Sequence, residues 1–288
     1  EIYTLSLHDA LPISTSTHRA HKKENRMTTI LTSIQNPKIQ RVRRLRAQKK
    51  ARDEEGKFMI EGVRLVEEAL RQNALLETIF YAEPASARVR TLLDDARAVG
   101  IETIETAPTL IDAISDTRNA QPLIAIAQKR DLPIPNEPTF ILILDEIHDP
   151  GNLGTILRTA AAAGVDCVLL SPGCADPSAP KVVRSAMGAH FSIPIYELNW
   201  DEIRTFFSSR PEIVICAAAV EDSENFWLSD YTKATALILG SEAQGIGPDA
   251  AALARRRILI PMTGRIESMN AAIAAAILMY EVRRQRSL

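Results

Sequence analysis

Apolar residues recur along this chain at two spacings, one suited to helices and one to strands. In the first half, residues 33–51 read as a short turn and then a basic helix with Ile39, Val42 and Leu45 on one face. A strand is expected at 57–61 (KFMIE), then a helix at 62–73 with Val63, Val66, Ala69 and Leu70 at helical spacing. A strand at 76–81, a helix at 85–99 stopped by Gly100, a strand at 101–105, a short helix at 109–114 and a strand at 123–127 follow. This alternation makes one small α/β domain.

The pattern restarts at 139–145 (TFILILD), a continuous apolar run of the kind found in a parallel strand buried on both faces. A helix is expected at 151–163, ending at Gly164, then a strand at 166–170, a helix at 180–187 and a strand at 191–196. A helix at 200–208 and strands at 212–217, 234–240 and 257–261 lead to a terminal helix at 269–284. Strands alternating with helices imply a parallel sheet covered on both faces, an α/β/α layering. Between the halves, 131–138 (DLPIPNEP) holds three prolines in eight residues, which favours an extended linker. The expected division is therefore 27–130, linker 131–138, and 139–288.

Residues 1–26 show neither rhythm. Met27 followed by Thr-Thr-Ile reads as a natural start, and 1–14 resembles a translated sequencing adapter. A signal peptide is the weaker rival, because Asp9 and Pro12 interrupt the apolar residues. This stretch is expected to be a disordered or artefactual extension.

Composition adds limits rather than an activity. With 46% hydrophobic and 24% charged residues the chain reads as an ordinary soluble protein. Its net charge of −2 does not announce a nucleic-acid partner, but charge is unevenly spread. Lys38, Arg41, Arg43, Arg44, Arg46, Lys49, Lys50, Arg52 and Lys57 are opposed locally only by Asp53, Glu54 and Glu55. Cys167, Cys174 and Cys216 form no C-x-x-C pair and lie near no His at ligand spacing, so no metal site and a reducing, cytoplasmic setting are expected. No apolar run reaches the roughly 18 residues that a membrane helix needs.

Three blocks carry candidate chemistry. In LDEIHDPGNLGTILRTAAAAG (144–164), a buried strand ends, a loop follows and a helix begins near Asn152. Ligands of open parallel sheets bind beyond the carboxyl ends of strands, and Arg158 offers a planar fork suited to phosphate. In ALILGSEAQGIGP (236–248), an apolar strand runs into a loop with Gly240, Gly245 and Gly247, and Glu242 stands at its mouth. In ILIPMTGRIESMNAAIAAAILMY (258–280), Ser268 and Asn270 precede an Ala-rich helix. Each block has a plainer reading: Asn152, Ser268 and Asn270 as helix caps, Arg158 as a solvated cation, Glu242 as a surface acid.

Taken in order, Asn-x5-Arg, G-S-E-x-x-G-x-G and I-P-M…S-x-N-A-A resemble the three motifs of the SpoU (TrmH-type) RNA ribose methyltransferases of the SPOUT superfamily, over residues 139–284. The preceding NPKIQRVRRLR…KFMIEGVRLVEEAL resembles the substrate-binding domain often fused to them. Met269 departs from the usual Leu, a volume-conserving change, and Ala271-Ala272 stands where Val-Ser is frequent. The resemblance implies S-adenosylmethionine as methyl donor, no metal, a homodimer, a trefoil knot at the carboxyl end, and methylation of a ribose 2′-hydroxyl in rRNA or tRNA. By fused-domain analogy the RNA is ribosomal. It assigns the donor to Ala217, Ala218, Leu239, Gly240, Gly245, Ile260 and Met269. Arg158 becomes the proton acceptor or, on a second account, the group that binds phosphate and the developing alkoxide; Asn152, Glu242, Ser268 and Asn270 orient the reactants. RNA contacts fall to Lys38, Arg41, Arg43 and Arg44. A non-catalytic RNA-binding protein would keep the fold without donor binding. A nucleotide-dependent oxidoreductase would need a Gly-rich turn after the first strand, which is missing after Asp145.

Overall fold

A computed structural model describes residues 30–117, 121–220, 222–241, 244–264 and 268–287. The expected extension at 1–26 lies outside the described residues.

The first half builds α1 (Pro37–Ala47), α2 (Lys49–Glu55), β1 (Lys57–Glu61), α3 (Val63–Arg71), β2 (Leu76–Tyr81), α4 (Ala87–Ala98), β3 (Glu102–Glu105), α5 (Pro108–Ile114) and β4 (Leu123–Gln128). These strands make a mixed sheet of order β1-β4-β2-β3. Ile39, Val42 and Leu45 are fully buried, as their spacing predicts. The single basic helix expected at 33–51 is two helices, broken at the extended residue Gln48. The Arg52 guanidinium donates to the carbonyls of Leu45 (2.7 Å) and Arg46 (3.1 Å), satisfying acceptors at the end of α1 that would otherwise lack partners.

The second half builds β5 (Phe140–Leu144), α6 (Pro150–Ala163), β6 (Cys167–Leu170), α7 (Pro180–Ala186), β7 (Ile195–Glu197), α8 (Trp200–Ser208), β8 (Val214–Ala218), β9 (Glu224–Asn225), β10 (Thr235–Leu239), α9 (Pro248–Leu253), β11 (Arg256–Leu259) and α10 (Ala271–Arg286). All seven strands are parallel, in the order β7-β6-β5-β10-β8-β11-β9. Every residue of β5 and β10 is buried. Their side chains divide by the period of two: Phe140, Leu142, Leu144, Leu237 and Leu239 face α6 and α10, while Ile141, Ile143, Ala236 and Ile238 face the layer holding Ile203, Phe207 and Ala250. Gly154 lets α6 lie against α7, since a Cβ there would meet Ser185 Cβ at 2.5 Å and the Val182 carbonyl at 2.6 Å. The apolar pattern does not show α9 and β9, which are too short to display a period.

The halves meet through more than the 131–138 segment. Val183 of α7 is buried in the amino-terminal core, and Phe191 stacks on Phe58 with ring centroids 6.1 Å apart. Arg52 pairs with Asp176 (2.9 Å), both nearly enclosed, and Arg184 pairs with Asp116 (2.9 Å). Among the described residues no helix is long and apolar enough to cross a membrane.

Candidate active site

The three blocks converge at the carboxyl ends of β5, β10 and β11. Immediately after β5, Asp145 is almost fully buried and accepts hydrogen bonds from the Gly247 amide (2.7 Å) and the Ser171 hydroxyl (2.9 Å). A buried carboxylate is costly unless such donors face it, so Asp145 ties the Gly-rich loop to the sheet. Sequence reasoning passes over this residue. The available signal is an acid ending an apolar run.

Helix α6 starts earlier than expected. Its cap is Asp149, whose Oδ1 accepts from the Asn152 amide (2.8 Å). That backbone bond holds the Asp149 carboxyl below its ordinary range, with Lys181 nearby at 3.6 Å. Asn152 therefore sits inside the first turn rather than at its cap, and its Oδ1 accepts from Asn270 Nδ2 at 3.0 Å. Asn270 does cap: its Oδ1 accepts from the amides of Ala272 (3.0 Å) and Ile273 (3.2 Å) at the start of α10. One side chain thus starts a helix and joins the third block to the first.

The Gly-rich loop folds on itself. The Gly245 amide donates to the Ser241 carbonyl (2.9 Å), and Gly245 is left-handed with φ +68°. A Cβ on Gly240 would stand 1.9 Å from the Gly245 carbonyl oxygen, so position 240 excludes every side chain. Beside this turn lies a cavity of about 210 Å³. Ala218, Leu239, Gly240, Gly245, Ile260, Met269 and Ser268 line it, together with Val220, Met262 and Ala274. Ala217 does not. Its side chain is fully buried in the opposite core, because successive strand residues face opposite ways and Ala218 takes the cavity side. The lining is mainly apolar, with Ser241, Ser268 and the turn at Gly240 and Gly245 as its polar part, a surface suited to an adenine and its ribose. A second cavity of about 230 Å³, lined by Ile147, His148, Asp149, Asn152, Ser241, Gln244 and Ala271, shares Ser241 and Ala271 with the first.

Arg158 is brought to neither cavity. It is exposed on the outer face of α6 and has no ion-pair or hydrogen-bond partner among the described residues. Glu242 lies outside the described residues. Burial pushes the Cys174 thiol, behind the first block, up to about 11, which leaves it inert as a nucleophile. A larger cavity of about 820 Å³ lies between α3 and α4, and none of the three blocks reaches it.

The basic stretch on α1 is less free than its sequence suggests. Arg41 bonds Glu77 and Glu55 (2.6 Å), Arg44 bonds Glu55, and Lys38 pairs with Glu102. The Arg41 bond holds Glu77 down to about 2, and Glu77 in turn pushes Arg41 up. Of the four expected RNA contacts, only Arg43 has no ion-pair partner among the described residues. Glu77 and Glu102 come from β2 and β3, too distant in sequence to be counted against α1.

Two family models match the chain: the SpoU rRNA Methylase family over residues 139–280, and the MRM3-like substrate binding domain over residues 36–125. The chain is similar to 23S rRNA (guanosine(2553)-2′-O)-methyltransferase RlmP of Bacillus subtilis (strain 168), at 32% identity over 88% of this chain and 98% of that protein. It is similar in structure to AdoMet-bound rRNA methyltransferase from Sinorhizobium meliloti, with a TM-score of 0.78 and 34% identity over 88% of this chain and 97% of that one. The SpoU methyltransferase AviRb from Streptomyces viridochromogenes in complex with the cofactor AdoMet gives a TM-score of 0.80 at 30% identity, covering 88% and 98%.

Proposed function

The chain belongs to the SpoU rRNA methylase family, and from that membership we propose that it methylates the ribose 2′-hydroxyl of a nucleotide in ribosomal RNA. S-adenosylmethionine is the methyl donor. The observation that carries this reading is the Asn270–Asn152 bond, which joins the third block to the first at the cavity that Asn152 lines.

When bound, the donor supplies an electrophilic methyl on a sulfonium sulfur. Ala218, Leu239, Ile260 and Met269 would hold its adenosine and keep water out, with the Gly240 and Gly245 backbone as polar partners. Asn152, Ser268 and Asn270 orient the reactants, with Glu242 as a fourth member of the set. Alignment of this kind removes much of the barrier to a bimolecular transfer. Arg158 binds the phosphate beside the target ribose and stabilises the developing alkoxide, a role that suits a permanently charged guanidinium. Its exposed position on α6 leaves it open to RNA or to a second copy of the chain.

Residues 139–288 carry the chemistry, 27–130 hold the RNA, and 131–138 link them. The groove of about 700 Å³ lined by Gln40, Arg41, Arg43, Arg44 and Arg46 supports an RNA backbone contact, to which Lys38 of the same helix would add. Such contacts position the RNA without reading its bases. A homodimer through α10 belongs to the same reading, supported by the exposed apolar side chains Ile273 (52%) and Tyr280 (51%) on that helix. So does the family's carboxyl-terminal knot. A cytoplasmic location is supported by three free thiols.

The test is to map 2′-O-methyl marks in total RNA from cells with and without the gene, complementing with wild type or Arg158→Ala. One rRNA mark should vanish without the gene, return with wild type and stay absent with the variant, while the purified variant binds S-adenosylhomocysteine normally. A mark lost from tRNA instead would move the substrate. Equal activity of Arg158→Ala would remove Arg158 from the mechanism.

A further inference from the structure

The roles above leave one titratable side chain of the first block unused. His148 lies in the turn after β5 and lines the second cavity beside Asn152. Its Nδ1 is 2.7 Å from the carbonyl oxygen of Gly173. A carbonyl only accepts, so Nδ1 bears the proton and Nε2 keeps its lone pair. Glu146, held in a left-handed conformation (φ +53°) two residues earlier, places Oε2 3.9 Å from that Nε2. The ring is therefore anchored through one nitrogen, basic at the other, and has a carboxylate at hand to stabilise an imidazolium. A general base needs these three properties.

Among the described residues that line this cavity, Asp149 is the other titratable group. Asp149 is engaged by the Asn152 amide and stands near Lys181. The described residues that the Gly-rich loop and α10 contribute to this cavity are uncharged: Ser241, Gln244 and Ala271. Ser241 and Ala271 also wall the donor cavity, so a ribose beside His148 lies next to the methyl source.

We propose that His148 Nε2 accepts the proton of the ribose 2′-hydroxyl. This rests on the reading of the two cavities as donor and acceptor subsites. The ribose oxygen bonds to the methyl carbon as the sulfur–methyl bond breaks, its electron pair stays on sulfur, and the hydroxyl proton passes to His148 and then to solvent. Arg158 is left with the phosphate.

Three measurements on the full chain test this. Histidine ¹⁵N NMR, assigned by comparison with His148→Gln, should report the Nδ1-protonated tautomer. The Nε2-protonated tautomer would overturn the proposal, because no lone pair would then face the cavity. The single-turnover rate of His148→Ala should fall by roughly 10²–10⁴, with partial rescue by added imidazole. His148→Gln, whose amide can still donate to the Gly173 carbonyl, should be as stable as wild type and equally slow, without rescue. Both variants should bind S-adenosylhomocysteine as wild type does. A His148→Ala enzyme with the wild-type rate would sink the proposal alone. A wild-type enzyme that fails to bind S-adenosylhomocysteine would instead remove the donor cavity, and the His148 role with it.

Discussion

Gly240 shows how narrow the tolerance of this site is at the scale of one residue. The atoms that a Cβ would strike are the carbonyl of Gly245 and the nitrogen of Ile246, both backbone, so no side chain can swing aside. Gly240→Ala should cost about 1–3 kcal/mol in chemical denaturation, the usual range for overpacking. It should also weaken S-adenosylhomocysteine binding in calorimetry. Unchanged binding would mean that the Ser241–Gly245 turn does not shape the donor cavity. At this scale the sequence is readable in kind but not in detail. Asn152 and Asn270 are visible as polar residues at helix starts, yet capping and cross-block bonding call for the same amide group, so residue type cannot separate them. The structure shows Asn270 doing both, oxygen to its helix and nitrogen to Asn152, while Asp149 takes the cap of α6. Ala217 and Ala218 illustrate the same limit: the strand is legible, but which of two neighbouring alanines faces the cavity depends on its register.

Helix α10 permits the two functions of Asn270 to be pulled apart. Asn270→Ala removes the cap and should destabilise the protein by about 0.5–2 kcal/mol. Asn270→Asp keeps an oxygen for the Ala272 and Ile273 amides, and a negative charge suits a helix start. Its stability should stay close to wild type, but it has no N–H to offer Asn152. Its methylation rate should therefore drop as far as that of the alanine variant, measured by single turnover beside thermal unfolding. If the aspartate variant is fully active, the link between the first and third blocks is only structural. Elements with a long apolar period are legible from residue order alone: β5, β10, α3 and the buried face of α1 lie where the pattern puts them. Charge is not. Two of the acids that neutralise α1, Glu77 and Glu102, stand on β2 and β3, and the end of α1 is decided by Arg52, so local composition overstates both the length of that helix and its free positive charge.

The whole molecule depends on a joint that no local pattern reveals. The prolines of 131–138 mark where one half stops, but the halves are held by contacts made more than thirty residues later, at Asp176, Val183 and Phe191. Arg52 and Asp176 are the critical pair because their side chains are only 5% and 10% exposed. Two enclosed charges that neutralise each other contribute little net stability, whereas removing one strands the other and costs about 3–5 kcal/mol. Asp176→Ala should lose about that much in urea unfolding, and the double replacement Arg52→Met with Asp176→Leu should recover only part of it, because the Leu45 and Arg46 carbonyls lose their donor with Arg52. Function should follow the joint rather than the donor cavity. Asp176→Ala should raise the KM for RNA while S-adenosylhomocysteine affinity stays unchanged, because in the proposed function α1 and the α6 site, on opposite sides of the contact, face one RNA together. An Asp176→Ala protein as stable as wild type, with an unaltered KM for RNA, would show that the halves bind their substrate independently and that the buried pair does not set their alignment.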